Sequence, residues 1–290
     1  MKWFDYAKPG SVEDAVALLA EHGDGASVLA GGTDILVQMR VGAREPEWLV
    51  DVKAIPELNR VFFEPGAGLI LGAAVPCYRI CQDEEVQRNY PGLIDVASMI
   101  GGTQIQGRAS IGGNLCNASP SADSIPILIA LEAKCKIAGP DGEREVAAED
   151  FCTSPGQTVL GPGEILVSLE IPLPRPNAGA HYMRFTPRNE MDIAVVGVGV
   201  SVVVDDGKFA AARVALASVA PTPLFVPAAG EALIGEPVTD ESIQKAAEAA
   251  KAAAAPISDM RGTAVYRKHL CEVLTRRALK VAAGRAREPD

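Results

Sequence analysis

The 290-residue chain has only three histidines, His22, His181 and His269, and none stands four residues from another or beside a suggestive cysteine. That scarcity removes the usual means of holding a catalytic metal or activating a nucleophile. Six cysteines (Cys77, Cys81, Cys116, Cys135, Cys152, Cys271) contain no C-x-x-C and no framework spacing, so they read as reduced thiols. Cys77 and Cys81, four apart, share a helix face at most, too few ligands for zinc or an iron–sulfur cluster. There is no G-x-S-x-G elbow and no G-x-x-x-x-G-K-S/T. The nearest approach to G-x-G-x-x-G, "GVGVSV" at 197–202, lacks the third glycine and lies inside a strand pattern. These absences disfavour a serine hydrolase, a P-loop NTPase and a nicotinamide-binding Rossmann domain.

Long apolar runs are also missing. Residues 193–204 are interrupted by glycines and Ser201 and fall short of the ~20 residues a membrane span requires, and "MKWFDYAKPG" has no signal-like apolar region. Basic residues are outnumbered, 27 against 37, giving a formal charge of −10 that repels nucleic acid on average. The sequence therefore predicts a cytoplasmic globular protein. With 48% hydrophobic residues it can bury a large core in two domains or one large one.

What the chain does have is glycine in pairs. "LAGGTDIL" occupies 29–36, and "IGGTQIQGRASIGGN" at 100–114 carries two more pairs. Without a Cβ, backbone N–H groups can approach a ligand, and successive N–H groups form an anion-binding concavity. "AGGTD" follows a strand, with "ILVQMR" read as its continuation. "SIGGN" precedes a segment in which Ser121 or Asp123 could cap the next helix. Both segments have the position and chemistry to hold a pyrophosphate, with Thr33, Ser110 and Asn114 as uncharged donors; the alternative is that each pair is only a tight turn. With no convincing acid–base pair, the protein contributes binding, and a cofactor does the chemistry.

Ser11–Asp14 resembles a capping box before a helix at about 12–21, and strands at 26–32 and 47–52 complete a small α/β unit. The next stretch alternates similarly: "LILGAAV" a strand, 77–89 and "GLIDVASMIG" helices, "ADSIPILIALEA" a helix, "KCKIAG" and "EILVSLEIP" strands. The proline-rich 171–179 reads as a linker. Three consecutive strands follow, then helices over 239–286, with Val265, Leu270, Val273, Leu274 and Val281 as the core stripe of the last. The expected division is 1–56, 57–175 and 176–290.

"LAGGTDIL", "GRASIGGNLCNASPSAD", "EILVSLEIPLP", "RNEMDIAVVGVGV" and "SDMRGTAVYRKHLCEVLTRRAL" together resemble the FAD-binding medium subunit of molybdenum hydroxylases, the group of carbon monoxide dehydrogenase, nicotinate dehydrogenase, 4-hydroxybenzoyl-CoA reductase and the flavin part of xanthine dehydrogenase. The resemblance runs over essentially the whole chain. It implies an α+β fold: a PCMH-type FAD-binding domain of two α/β subdomains, plus a C-terminal domain with a three-stranded antiparallel sheet and helices. It implies non-covalent FAD with its pyrophosphate on two glycine segments, contacted by Val28, Leu29, Ala30, Gly31, Gly32, Thr33, Asp34 and Ile35, and by Ser110, Ile111, Gly112, Gly113 and Asn114. Asp123 matches a family FAD contact, either accepting from a flavin-side hydroxyl or capping a helix. Ile100 and Leu166 match cofactor-lining positions. So does Arg184, usually Lys there, as a phosphate partner or a surface charge. Ile193 falls where a side chain covers the ring, or is ordinary strand core. Gly112–Gly113 is expected to be the phosphate loop, with Gly101–Gly102 ending the preceding helix.

The resemblance further implies a small subunit with two 2Fe–2S clusters, a large molybdopterin-binding subunit, a dimer of heterotrimers, and NAD+, a quinone or O2 as acceptor. No insertion with cysteines for a 4Fe–4S cluster is present, which disfavours the reductive ring chemistry of 4-hydroxybenzoyl-CoA reductase. A stand-alone flavin reductase of the same fold and a non-catalytic nucleotide-binding assembly subunit are the alternatives.

Overall fold

The computed structural model describes residues 1–286. It begins with β1 (Asp5–Ala7), α1 (Val12–His22), β2 (Ala26–Leu29), α2 (Ile35–Val41) and β3 (Trp48–Asp51). Ser11 caps α1, its hydroxyl accepting from the Asp14 N–H at 3.1 Å, as the capping pattern predicts. The sheet order is β1-β3-β2, all parallel. The residues after the first glycine pair do not continue β2 as expected; they turn back as α2. Two local features favour the helix over the strand: the Asp34 carboxylate takes a hydrogen bond from the Gln38 side chain one turn on, and Gly42, at φ 75, closes the last turn.

The second unit holds β4 (Val61–Glu64), β5 (Gly68–Gly72), α3 (Cys77–Gln82), α4 (Glu84–Asn89), α5 (Pro91–Met99), α6 (Thr103–Gln106), α7 (Ile111–Cys116), α8 (Ser124–Ala130), β6 (Lys134–Gly139), β7 (Gly142–Ala147), the short hairpin β8 (Cys152–Ser154) and β9 (Gln157–Thr158), and β10 (Ile165–Pro172). The helix expected over 77–89 is two, broken at Asp83, whose side chain instead accepts from the Val86 N–H to start α4. The sheet runs β4-β5-β10-β6-β7, antiparallel throughout, and its core is Leu69, Leu71, Cys135, Ile137, Leu166 and Leu169 under the buried faces of α5, α7 and α8. Part of the expected linker is strand, since β10 extends to Pro172.

Beyond it come β11 (Ala178–Phe185), β12 (Val196–Asp205), β13 (Lys208–Ala217), β14 (Leu224–Phe225), α9 (Pro227–Glu231), α10 (Asp240–Ala253) and α11 (Ala264–Arg285). The three expected strands form one antiparallel sheet, joined by the short fourth strand β14. The face α11 buries comprises Arg267, Leu270, Cys271, Leu274, Thr275, Ala278, Leu279, Ala282 and Ala283, whereas Val265 and Val281, expected in the core, are exposed. Small alanines there let α11 lie close on the sheet, so the stripe is less hydrophobic than a leucine pattern would suggest. Every residue of α8 is buried. It packs on both β12 and β13, which wedges the second unit against the C-terminal sheet.

Candidate functional site

The parallel register of β2 on β3 delivers residues 30–34 to the sheet's C-terminal edge, where they cross the turn before α7. At the crossing a Cβ on Gly31 would stand 2.2 Å from the Arg108 carbonyl oxygen and 3.1 Å from the Ala109 Cα, so only glycine admits this approach. Gly32 is left-handed at φ +79. Lys53 fixes the segment from behind, donating to the Ala30 carbonyl at 3.0 Å while pairing with Asp51 at 2.7 Å. Tyr6 donates to the other Asp51 oxygen at 2.5 Å. Burial acts to raise the Asp51 carboxyl, but the Lys53 and Tyr6 hydrogen bonds outweigh it and hold it below its ordinary range. Among the described residues, the backbone N–H groups of Gly31, Gly32, Thr33 and Asp34 donate to no other protein atom. Consecutive free N–H groups at a strand end form an anion receptor.

The second segment differs from expectation. Gly112 and Gly113 form the first turn of α7 rather than a loop. Ser110 is the N-cap, its hydroxyl accepting from the Gly113 N–H at 3.0 Å; the Ile111 N–H faces the Val75 carbonyl in the bridge that pairs Pro76 with Ser110, so of these two N–H groups only that of Gly112 is free among the described residues. Gly112 is required for packing: a Cβ there would lie 2.5 Å from the Ala73 carbonyl oxygen. Gly101, at φ +62 just past α5, would bring a Cβ 2.6 Å from Ile105. Both pairs therefore carry structural roles, and the expected division into one phosphate loop and one helix end is too simple. The cap of α8 comes from neither Ser121 nor Asp123; Asn114 accepts from the Ser124 N–H at 3.1 Å and its hydroxyl at 2.7 Å.

Asp123 is instead the centre of a polar cluster that closes the gap to the C-terminal sheet. Tyr182 donates to one carboxylate oxygen at 2.6 Å and Arg184 to the other at 2.5 Å, and Arg184 also reaches the Met99 carbonyl at 3.0 Å. With its side chain 8% exposed, Arg184 is no surface charge. Burial pushes the Asp123 carboxyl up from its ordinary value, against the opposing pull of Arg184 and Tyr182. Ile100, 8% exposed, is the C-cap of α5, next to Met99. Ile193, 47% exposed, precedes β12 and is not strand core.

The fold thus brings residues 30–34 together with 108–114, and Asp123 together with Arg184. Leu166 is not brought to the crossing; it is 2% exposed within β10, opposite Ile137. Leu29 and Ile111 turn their side chains into the cores, while Val28 and Ile35 are partly buried against them. Sequence reasoning missed Lys53, Arg108 and Tyr182. Arg108 stands inside the glycine-rich string itself, its Nε 3.4 Å from the Gly31 carbonyl, and a cation between two glycine pairs was the available signal. Tyr182 lies two residues before Arg184 on β11, where the period of a strand places both on one face.

A model of the FAD binding domain in molybdopterin dehydrogenase matches residues 2–174, and one of the CO dehydrogenase flavoprotein C-terminal domain matches residues 181–282. The carbon monoxide dehydrogenase medium chain of Afipia carboxidovorans is 34% identical over 284 residues, covering 98% of each chain. The putative xanthine dehydrogenase FAD-binding subunit of Escherichia coli is 32% identical over 287 residues, again 98% of each. Among solved structures, a carbon monoxide dehydrogenase chain from Hydrogenophaga pseudoflava superposes with a TM-score of 0.94 at 34% identity, covering 98% of both chains. Fold and matched domains define the class, a flavoprotein component of an oxidoreductase. The chain belongs to the family of FAD-binding medium subunits of molybdenum hydroxylases.

Proposed function

We propose that this chain carries electrons through FAD held non-covalently across the glycine crossing, within an assembly containing a small subunit with two 2Fe–2S clusters and a large molybdopterin-binding subunit, as a dimer of heterotrimers. The observation that carries this reading is the close passage of Gly31 over the Arg108–Ala109 backbone, which brings the free N–H groups of residues 31–34 beside the helix start that carries the free Gly112 N–H, where a Cβ would block the approach. The residues fit the cofactor: the N–H groups of 31–34 and of Gly112 suit a pyrophosphate, Asp123 a hydroxyl donor, and Ile100 and Ile193 the apolar ring. Leu166 would support this wall from within the sheet. Bound FAD supplies the exchange between single electrons arriving from the clusters and electron pairs leaving to NAD+, a quinone or O2. The chain itself binds, orients and shields. Lys53 fixes the first glycine segment, Ser110 the second, and the Asp123–Arg184 pair the seam to the C-terminal sheet. The proposed units are 1–56, 57–175 and 176–290, of which residues 287–290 lie outside the described residues.

The test is direct. Purified chain is expected to be yellow, or to take up added FAD to about one per chain. Folded chain with no flavin absorbance and no uptake rejects the reading.

A further inference from the structure

Ser218, one residue past β13, sits at φ +67, a left-handed conformation that glycine adopts at little cost and serine does not. Each of its polar atoms is tied to a different segment. Its N–H donates to the Pro120 carbonyl at 2.7 Å, three residues before Asp123. Its hydroxyl donates to the Ala194 carbonyl at 2.7 Å, next to Ile193. Its own carbonyl accepts from Arg267 at 3.1 Å. Arg267 is a fixed post: its side chain is 4% exposed, and it also donates to the Val195 carbonyl at 2.7 Å and forks onto Asp259 at 2.7 and 2.8 Å.

Residues 187–191 are exposed, and among the described residues the Ile193 N–H is held only by the neighbouring Asp192 carboxylate. Before β12 begins, this stretch is tied to distant segments at Val195, by Arg267 and by the Phe185 carbonyl, and one residue nearer Ile193 at Ala194, by the Ser218 hydroxyl. Chain reversal after β13 needs only the left-handed backbone, which glycine would supply better. The hydroxyl is the part that serine adds, and Ala194 is where it goes.

We propose that Ser218 is a positioning residue for the flavin: it sets the separation between the turn that carries Asp123 and the segment that carries Ile193, so that the two walls of the ring site are held by one residue. This rests on the FAD reading above. The ring then meets a preset cover rather than one recruited from a loose loop, and the loss of the hydroxyl acts on the cofactor's surroundings more than on the fold.

The experiment compares the full wild-type chain, Ser218→Gly and Ser218→Asn, each loaded with FAD. Glycine suits φ +67 but lacks the hydroxyl. Asparagine tolerates the left-handed region and offers an amide donor to Ala194. Ser218→Gly is expected to unfold at the wild-type temperature or above, yet to bind FAD about fivefold more weakly, one hydrogen bond's worth, with an altered visible circular dichroism of the flavin band. Ser218→Asn is expected to recover both. Ser218→Gly with wild-type affinity and spectrum overturns the proposal, as does weaker binding that merely tracks a lowered unfolding temperature in both variants. Wild-type chain that takes up no FAD overturns the underlying reading instead.

Discussion

Gly31 and Arg108 meet backbone against backbone, with the place of a Gly31 Cβ 2.2 Å from the Arg108 carbonyl oxygen. The obstacle is main chain, so no rotamer change can make room, and a methyl group must push the two subdomains apart. Gly31→Ala is therefore expected to cost about 1–3 kcal/mol and to weaken FAD binding at least tenfold. Gly10→Ala is the control, because a Cβ there has nothing within 4 Å and should change stability by less than ~0.5 kcal/mol. Urea unfolding and flavin titration of both variants check this. A Gly31→Ala protein that binds FAD normally would show that the crossing does not form the receptor.

Arg108 is the cation that the crossing leaves uncommitted: exposed, its side chain bonded among the described residues only through Nε to the Gly31 carbonyl at 3.4 Å. Its charge reaches the crossing, since it opposes the rise of the Tyr6 hydroxyl that the Asp51 hydrogen bond mainly causes. Arg108→Gln should leave the urea midpoint of the flavin-free chain within ~0.5 kcal/mol of wild type while weakening FAD about tenfold, with a shallower dependence on salt. Equal loss of stability and affinity would assign Arg108 to the scaffold.

Much of the fold was readable because most strands are bounded by turn residues and the helices carry caps. Ser11 does in the structure what its chemistry predicts. "ILVQMRV" was misread because apolar and β-branched residues suit a buried strand; the deciding signals were the flanking Asp34–Gln38 pair and Gly42. The Gly112–Gly113 pair reads as a loop in the sequence, since glycine weakens a helix; its place in α7 is dictated by the Ala73 backbone, some 40 residues upstream, which no local pattern shows. Asp123 was singled out by its motif, but its partners Tyr182 and Arg184 lie on a strand of another unit, and a charge's partner is decided by tertiary contact.

That pairing makes unequal predictions for its two donors. Arg184→Ala removes the cation from a carboxylate that is 13% exposed in its side chain and already pushed up by burial. It is expected to cost about 3 kcal/mol, most of it the penalty of stranding Asp123. Tyr182→Phe deletes one hydrogen bond from an uncharged hydroxyl to that carboxylate and should cost about 1.5 kcal/mol. Arg184→Ala combined with Asp123→Asn should recover part of the loss, because the stranded charge is gone. Chemical denaturation of wild type, Arg184→Ala, Asp123→Asn and the double variant measures this coupling, and strict additivity would refute it.

Asp95, on α5, ties the FAD-binding part to the C-terminal sheet and to the end of α11. It meets His181 Nδ1 at 2.6 Å, both Arg285 terminal nitrogens at 2.6 and 2.9 Å, and the Tyr182 N–H at 3.3 Å. Burial acts to raise this carboxyl, but the His181 and Arg285 hydrogen bonds together outweigh it and hold it below its ordinary 3.8. A carboxyl lowered on folding stabilises the folded state above its unfolded value, and that contribution fades as the pH falls through the folded value. Asp95→Asn should therefore cost about 2 kcal/mol at neutral pH, less than a fully buried pair because Arg285 keeps some contact with water. As the pH falls below the ordinary carboxylate value and through the lowered folded one, the gap between variant and wild type should close. Urea midpoints of the two proteins between acid and neutral pH test the sign, and a gap that stays constant would mean that the pair contributes packing alone.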